Sequence, residues 1–269
     1  MEPIIDDNTT VDPVAWSAGA RGLIPRDMTA FPRGCYASAA AVDIPLIPRN
    51  EWSERIKLME ADRSRLSDIV KIGDAGNPIP GLDQNGQGYC WAYAVGHAVT
   101  ALRAANNLPY VPLSPHAVAC KIKGFRDEGG WSALALDFVS EKGIPSQGAW
   151  PAQSMRREYD TPTTWENAKL HRVTEGWVDL ESPVYDRDLS FDQVMTCLLS
   201  RVPVACDFNW WGHAVCALDP VETSPGKFGV RIWNSWGDSF GDRGMAVLAG
   251  SKAIPDNAVA PRVTTASIA

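Results

Sequence analysis

Cysteine chemistry is the first possibility that the 269-residue chain raises. Cys90 follows a polar loop punctuated by glycines and opens an apolar, helix-forming run that ends near Ala105. At a helix N-terminus, unpaired backbone N–H groups and the positive end of the dipole favour the thiolate, which is the nucleophilic form of cysteine. A buried structural cysteine is the alternative for any single Cys, because free cysteine is among the most buried residue types.

A thiol nucleophile also needs a base, and two later stretches supply suitable residues. His213 opens an apolar run typical of a buried strand, and Asn234 stands at the end of another strand-like run. Histidine can take the thiol proton, and an asparagine carbonyl oxygen can fix the tautomer and orientation of the imidazole. Cys90, His213 and Asn234 therefore fit the roles of nucleophile, base and orienting residue.

The residues around these three resemble motifs of the papain-like cysteine peptidases. Gln84 stands six residues before Cys90, as the oxyanion-hole glutamine of that family precedes its nucleophile. The sequence Cys-Trp-Ala-Tyr from Cys90 resembles the family's Cys-Trp-Ala-Phe, and His-Ala-Val from His213 resembles its His-Ala-Val. The sequence Asn-Ser-Trp-Gly from Asn234 matches the family's own.

Three more residues carry the same resemblance, and we expect them to contribute to substrate binding. Gly129 and Gly130 look like the family's Asn-Gly-Gly segment, whose backbone lines the substrate cleft. Trp236 matches the tryptophan that shields the histidine–asparagine hydrogen bond from water. The motifs follow the family's order, although His213 follows Cys90 at slightly less than the ~130–150 residues usual for such enzymes.

The resemblance implies an α+β, two-lobed papain-like fold, with a helical left lobe built around the Cys90 helix and an antiparallel β-rich right lobe. It implies a cysteine endopeptidase that hydrolyses a protein or peptide substrate without a cofactor. The Cys90 thiolate would pair with the His213 imidazolium, while Asn234 holds the ring. The Gln84 side chain and the Cys90 backbone N–H would donate to the oxyanion.

Two alternatives keep this fold and change its use. A domain that has lost catalysis could serve a structural or interaction role, binding a large protein assembly through its N-terminal arm. Papain-like domains encoded by phages or bacteria extend this hypothesis to a virion, by analogy of fold alone. In the second alternative, the enzyme still forms the thioester but passes the acyl group to an acceptor other than water, or it deamidates glutamine.

Charge and hydropathy patterns argue against two classes of partner, nucleic acids and membranes. The net charge of −7 and the absence of a basic tract argue against nucleic acid. The first residues lack a signal-peptide pattern, and no apolar run is long enough to span a bilayer, so no membrane partner is expected. We therefore expect a soluble protein that is cytoplasmic or virion-associated.

The six cysteines predict free thiols rather than a disulfide framework. By the resemblance, Gln87 occupies the place of a bridging cysteine in secreted relatives, and no cysteine precedes Gly129 to receive such a bridge. A reducing compartment fits this pattern, and no Cys/His spacing suggests a metal site. Four cysteines lie in apolar contexts typical of small core residues, namely Cys120, Cys197, Cys206 and Cys216.

The chain divides into three segments. Residues 1–72 form an N-terminal extension, with a Pro-, Gly- and Ala-rich extended arm to about residue 48 and an amphipathic helix from about 50 to 72. This helix is expected to lie on the catalytic domain, and an inhibitory prosegment is the alternative. Residues 73–250 form the papain-like catalytic domain, and residues 251–269 are expected to be a loose C-terminal tail.

Within the catalytic domain the pattern is helical first and β-rich second. The sequence predicts helices over 90–105, from Pro115, over 131–142 and over 191–200. It predicts strands over 173–180, 202–208, from His213, over 228–233 and over 244–248. His97 lies two turns beyond Cys90 on the first helix, too far away to act as the base, and is expected to be structural.

Overall fold

A computed structural model describes residues 2–9, 21–41 and 44–262. The α-helices of this part of the chain are α1 (Arg49–Ala61), α2 (Leu66–Ile72), α3 (Cys90–Ala105), α4 (Pro115–Lys123), α5 (Ser132–Lys142), α6 (Pro162–Ala168) and α7 (Arg187–Leu199). The strands are β1 (Ile4–Ile5), β2 (Ala39–Ala40), β3 (Trp177–Asp179), β4 (Val204–Phe208), β5 (His213–Ser224), β6 (Lys227–Trp233), β7 (Met245–Ala249) and β8 (Asn257–Pro261).

The strands form one sheet in the order β1-β7-β6-β5-β4-β8-β3-β2. The two outermost pairs are parallel, and the pairs between them are antiparallel. In the registers of β5, His213 pairs with Phe208 of β4, and Cys216 pairs with Trp233 of β6. Continuing the second register places His213 beside the residues that follow β6, where Asn234 lies.

Helix α3 is the central helix of the fold. All its residues from Cys90 to Arg103 are buried, and it packs on β5 and β4 as well as on α4 and α5. A helix that is apolar around most of its circumference must lie inside a protein. The molecule is therefore an α+β, two-lobed structure, with α3–α5 in the helical lobe and the sheet in the β-rich lobe.

Most of the predicted elements are confirmed within a few residues. Helix α3 has the predicted bounds, α4 begins at Pro115 after Ser114, and α5 ends at Lys142, just before Gly143. Helix α7 starts earlier than predicted, because the side chain of Asp186 accepts the N–H of Leu189 at 2.9 Å and forms the N-cap.

The predicted single helix over 50–72 is wrong, because the chain breaks into α1 and α2. Arg63 between them has a φ of 51°, a left-handed conformation that ends a right-handed helix. The expectation that this segment lies on the catalytic domain agrees with α1, whose Trp52, Ile56 and Met59 are buried in the core of the β-rich lobe.

The expected loose C-terminal tail is wrong for residues 251–262, and its last part, 263–269, lies outside the described residues. Residues 257–261 form β8, which is buried between β4 and β3. The segment can be buried because its Ala and Val side chains suit a strand that is covered on both faces. At the other end of the chain, β1 pairs with β7 and β2 pairs with β3. The segment boundaries at 72 and 250, and the binding of a large assembly by the arm, remain predictions.

Two further observations concern membrane-spanning helices and the state of the cysteines. Among the described residues, no helix combines the length and apolar character that crossing a bilayer requires. All six cysteines are free thiols, of which Cys35 is exposed and the others are buried.

Candidate active site

Cys90 is the first residue of α3, and its side chain is fully buried. The Sγ atom accepts a hydrogen bond from the backbone N–H of Gly22 at 3.3 Å. Burial raises the pKa of the Cys90 thiol to about 12, and the N–H groups of Ala214 and Gly22 offset this only in part. In this covered site desolvation thus opposes the expected thiolate, which stays a prediction for the uncovered site.

His213 and Asn234 form a buried pair opposite this helix. His213 is the first residue of β5, and its Nε2 lies 2.7 Å from Oδ1 of Asn234, just after the end of β6. The amide oxygen accepts, so Nε2 carries the proton and Nδ1 keeps the lone pair. Within the described parts of the chain, Nδ1 has no hydrogen-bond partner, and burial lowers the pKa of His213 to about 4. The imidazole is neutral.

Gln84 is buried in the loop that leads into Cys90, and it is held from two sides. Its Oε1 accepts the hydroxyl of Ser235 at 2.5 Å, and its backbone N–H donates to the Ser235 carbonyl at 2.9 Å. Its Nε2 donates to the carbonyl of Gln87 at 2.6 Å. Ser235 thus orients the amide of Gln84, a contact that the sequence analysis missed although Ser235 lies inside a quoted motif.

A segment of the N-terminal arm covers the thiol, and we call residues 21–24 the strap. Gly130 donates its N–H to the carbonyl of Gly22 at 2.9 Å, and Ile24 donates to the carbonyl of Gly130 at 2.9 Å. Leu23 donates to the carbonyl of Gly212 at 3.3 Å. The strap therefore lies beside Gly130 as a parallel bridge and spans from the helical lobe to the start of β5.

The strap requires glycine at position 22. A Cβ at this position would lie 1.9 Å from the backbone oxygen of Gly88, and a Cβ at Gly129 would lie 2.5 Å from the carbonyl oxygen of Gly22. The group that faces Sγ is an N–H donor, whereas a substrate must present a carbonyl carbon. The strap thus occupies the cleft in an arrangement that offers the thiol nothing to attack.

The chain beyond the strap is anchored in the β-rich lobe. Arg26 makes a bidentate ion pair with Asp179 of β3, with both distances 2.8 Å and both side chains 1% exposed. It also donates to the side-chain oxygen of Asn257 at 2.9 Å and to the carbonyl of Pro32 at 2.8 Å. Because Asp179 and Asn257 lie on strands, this anchor belongs to the folded sheet. Nothing in the composition of the arm indicated the strap or its anchor.

Aromatic rings enclose the His213–Asn234 pair. The ring centroids of Trp236 and His213 are 4.8 Å apart, and those of Trp211 and His213 are 4.9 Å apart. Both rings flank the His213–Asn234 hydrogen bond, which is the position that the shielding role predicted for Trp236 requires. Contact of Trp236 with substrate stays a prediction.

The chain is similar in sequence to known proteins whose names agree with the resemblance described above. The chain is 25% identical to mouse cathepsin K over 213 residues, 70% of this chain and 61% of cathepsin K. It is 23% identical to stem bromelain from Ananas comosus over 183 residues, 62% of this chain and 81% of bromelain. The match therefore spans about three fifths of cathepsin K. No protein-family model matches the chain.

Among solved structures, xylellain, a cysteine protease from Xylella fastidiosa, is similar with a TM-score of 0.60 at 15% identity. That likeness covers 91% of this chain and 97% of xylellain. The sheet packed on a buried helix that begins with a cysteine defines a two-lobed, papain-like fold. The chain thus has a papain-like fold and is similar in sequence to cathepsin K and stem bromelain.

Proposed function

We propose that this protein hydrolyses peptide bonds in a protein or peptide substrate, with Cys90 as nucleophile and His213 as base. The observation that carries the proposal is the buried 2.7 Å contact between His213 and Asn234. His213 begins strand β5, which packs against the helix starting at Cys90, and Asn234 follows the neighbouring strand β6. That contact leaves the other imidazole nitrogen, Nδ1, as an unprotonated acceptor.

The reaction starts when the strap leaves the cleft. The thiol proton of Cys90 moves to Nδ1 of His213, and the sulfur forms a bond to the substrate carbonyl carbon. The carbonyl oxygen becomes an oxyanion, which accepts hydrogen bonds from the Cys90 backbone N–H and from Nε2 of Gln84. For this, Nε2 turns from the Gln87 carbonyl, which it contacts at 2.6 Å, towards the substrate.

The second half of the reaction returns the enzyme to its starting state. His213 gives its proton to the leaving amine as the C–N bond breaks, and a thioester remains on Cys90. A water molecule then loses a proton to His213 and attacks the thioester carbonyl. The C–S bond breaks, the acid is released, and the thiolate takes up the proton from the imidazolium. Asn234 keeps the ring oriented throughout.

We infer that the closed conformation is latent. Two observations support this inference: the Gly22 N–H contacts Sγ, and burial raises the pKa of the Cys90 thiol to about 12 while it lowers the pKa of His213 to about 4. The chain after the strap is part of the folded protein, through Arg26 and helix α1. Opening therefore requires the strap to move, or a cut between the strap and its anchor.

The test compares hydrolysis by the full chain and by a Gly22→Val variant that cannot close, using denatured casein and mass spectrometry of the products. We expect new peptide termini from the variant, and no turnover after a further Cys90→Ala or His213→Ala change. Turnover that survives Cys90→Ala would refute the proposal. A mass increase of about one dalton at glutamine without chain cleavage would show deamidation instead.

A further inference from the structure

We propose that His97 is a positioning residue for the reaction, because it ties the loop that carries Gln84 to the helix that carries Cys90. This inference rests on the proposed function. His97 lies on α3 two turns beyond Cys90, and its side chain is fully buried. Its Nε2 accepts the backbone N–H of Leu82 at 2.9 Å. The loop with the proposed oxyanion donor is thus attached to the helix of the nucleophile.

The loop is held on its opposite side by the residues that follow β6. The N–H of Gly237 donates to the carbonyl of Leu82 at 3.1 Å, and the N–H of Gln84 donates to the carbonyl of Ser235 at 2.9 Å. The N–H and the carbonyl of Leu82 therefore bind different elements. The loop lies between helix α3 and the end of β6, and the His97 contact joins it to the helix.

The residue type at position 97 fits this task. A neutral imidazole has one nitrogen that accepts a hydrogen bond, and a protonated imidazole has none. Burial lowers the pKa of His97 to about 3, so the acceptor is kept at neutral and mildly acidic pH. The ring stacks on Trp233, the last residue of β6, with centroids 4.2 Å apart and planes 17° apart. Stacking fixes the plane of the acceptor nitrogen, and the same ring contacts the residue before Asn234.

Loss of the acceptor should disturb the oxyanion donor and leave the nucleophile in place. An apolar residue at position 97 would leave the Leu82 N–H without its acceptor, which favours movement of the loop. Removal of an oxyanion donor typically lowers the rate ~10²–10³-fold, so a displaced Gln84 should cost a part of that factor. Alkylation of Cys90 by iodoacetamide builds no oxyanion on a carbonyl and should be insensitive to the same change.

The experiment uses two variants in the full chain carrying Gly22→Val, so that the cleft is open. His97→Phe keeps an aromatic ring against Trp233 and removes the acceptor. His97→Gln places a side-chain carbonyl oxygen near the position of Nε2 and restores an acceptor. We expect His97→Phe to lower kcat on a peptide substrate roughly 10- to 100-fold, with KM and the alkylation rate of Cys90 changed less than about twofold. His97→Gln should recover most of kcat.

Two results would overturn the proposal. Equal kcat in all three proteins would remove the role, and a parallel loss of alkylation rate would show a general disturbance of the helix. Amide hydrogen exchange over residues 81–88 gives a readout that needs no peptidase activity. Exchange should be faster in His97→Phe and unchanged in His97→Gln. If no protein hydrolyses peptides, the proposed function fails, whereas equal exchange in all three proteins would show that His97 does not hold the loop.

Discussion

Replacing Gly22 with valine should expose the Cys90 thiol while leaving the fold intact. A Cβ on Gly22 would lie 1.9 Å from the oxygen and 2.2 Å from the carbonyl carbon of Gly88. Both are backbone atoms of the loop that leads into α3, so no side-chain rotation can relieve the overlap. The strap must leave the cleft for the variant to fold, whereas Arg26 and its ion pair need not move.

The size of the effect follows from the contacts that close the strap. Three backbone hydrogen bonds join it to Gly130 and Gly212, and each contributes about 1 kcal/mol net. A closing free energy of about 3 kcal/mol corresponds to ~10²-fold protection of the thiol. The open variant should therefore react ~10²-fold faster than the wild type with a small alkylating reagent.

The assay is the rate of iodoacetamide labelling at neutral pH, with the labelled residue identified by mass spectrometry. All proteins carry Cys35→Ser, because Cys35 is exposed and would itself react. Gly148→Val is the matched control, since a Cβ there meets only the Ser146 hydroxyl at 3.7 Å. The control should label Cys90 as slowly as the wild type. Thermal unfolding checks that each variant is folded.

Two outcomes would contradict this reasoning. A folded Gly22→Val protein that labels no faster than the wild type would mean that the strap does not limit access to Cys90. Fast labelling of the wild type itself would mean that the strap is open in solution. In either case the contact between the Gly22 N–H and Sγ would not govern reactivity.

Three further predictions concern catalysis and stability. Asn234→Ala in the open background should lower kcat roughly 10- to 100-fold, measured on a peptide substrate, because the imidazole of His213 loses its orienting partner. Deleting strand β8 should abolish cooperative unfolding in circular dichroism, since β3 would lose its link to β4. The free energy of unfolding should fall as pH drops from about 6.5 towards 4, because the histidines take up protons in the unfolded chain at a higher pH than His97, His116 and His213 do in the folded protein. Each of these histidines should contribute up to ~1.4 kcal/mol per pH unit. Asp207, with its pKa raised to about 6, offsets one histidine below that pH, and urea titrations from pH 7 to 4 measure the sum.

Local patterns were enough to predict the elements that carry the candidate site. Cys90 opens a long run of small apolar residues. Such a run fits either a buried helix or a buried strand, and its length favours the helix. His213 and Asn234 sit at the ends of short β-rich runs bounded by turn residues, so strand positions followed directly. Each of these signals lies within about a dozen residues of the side chain that it places.

The features that were missed depend on contacts between distant parts of the chain. Gly22 contacts Gly88 and Gly130, and no pattern within the arm distinguishes it from other glycines there. The segment 257–261 is only five residues long and contains a proline. It becomes a strand because β4 and β3 offer two free edges. The burial of the Cys90 thiol was missed for a related reason, since it depends on the strap, which local patterns do not reveal.

The place of β8 in the sheet also sets the order of events during synthesis. Strands β2 and β3 lie on one side of β8, and β4 to β7 lie on the other. While residues 257–261 are still inside the ribosome, β4 has an open edge and β3 has no bridge to the rest of the sheet. The anchor of the strap is also incomplete at that stage, because Asn257 is one of the partners of Arg26. Folding of the β-rich lobe is therefore completed only after translation of this strand, and the nascent chain must keep an unpaired, apolar strand edge from aggregating until then.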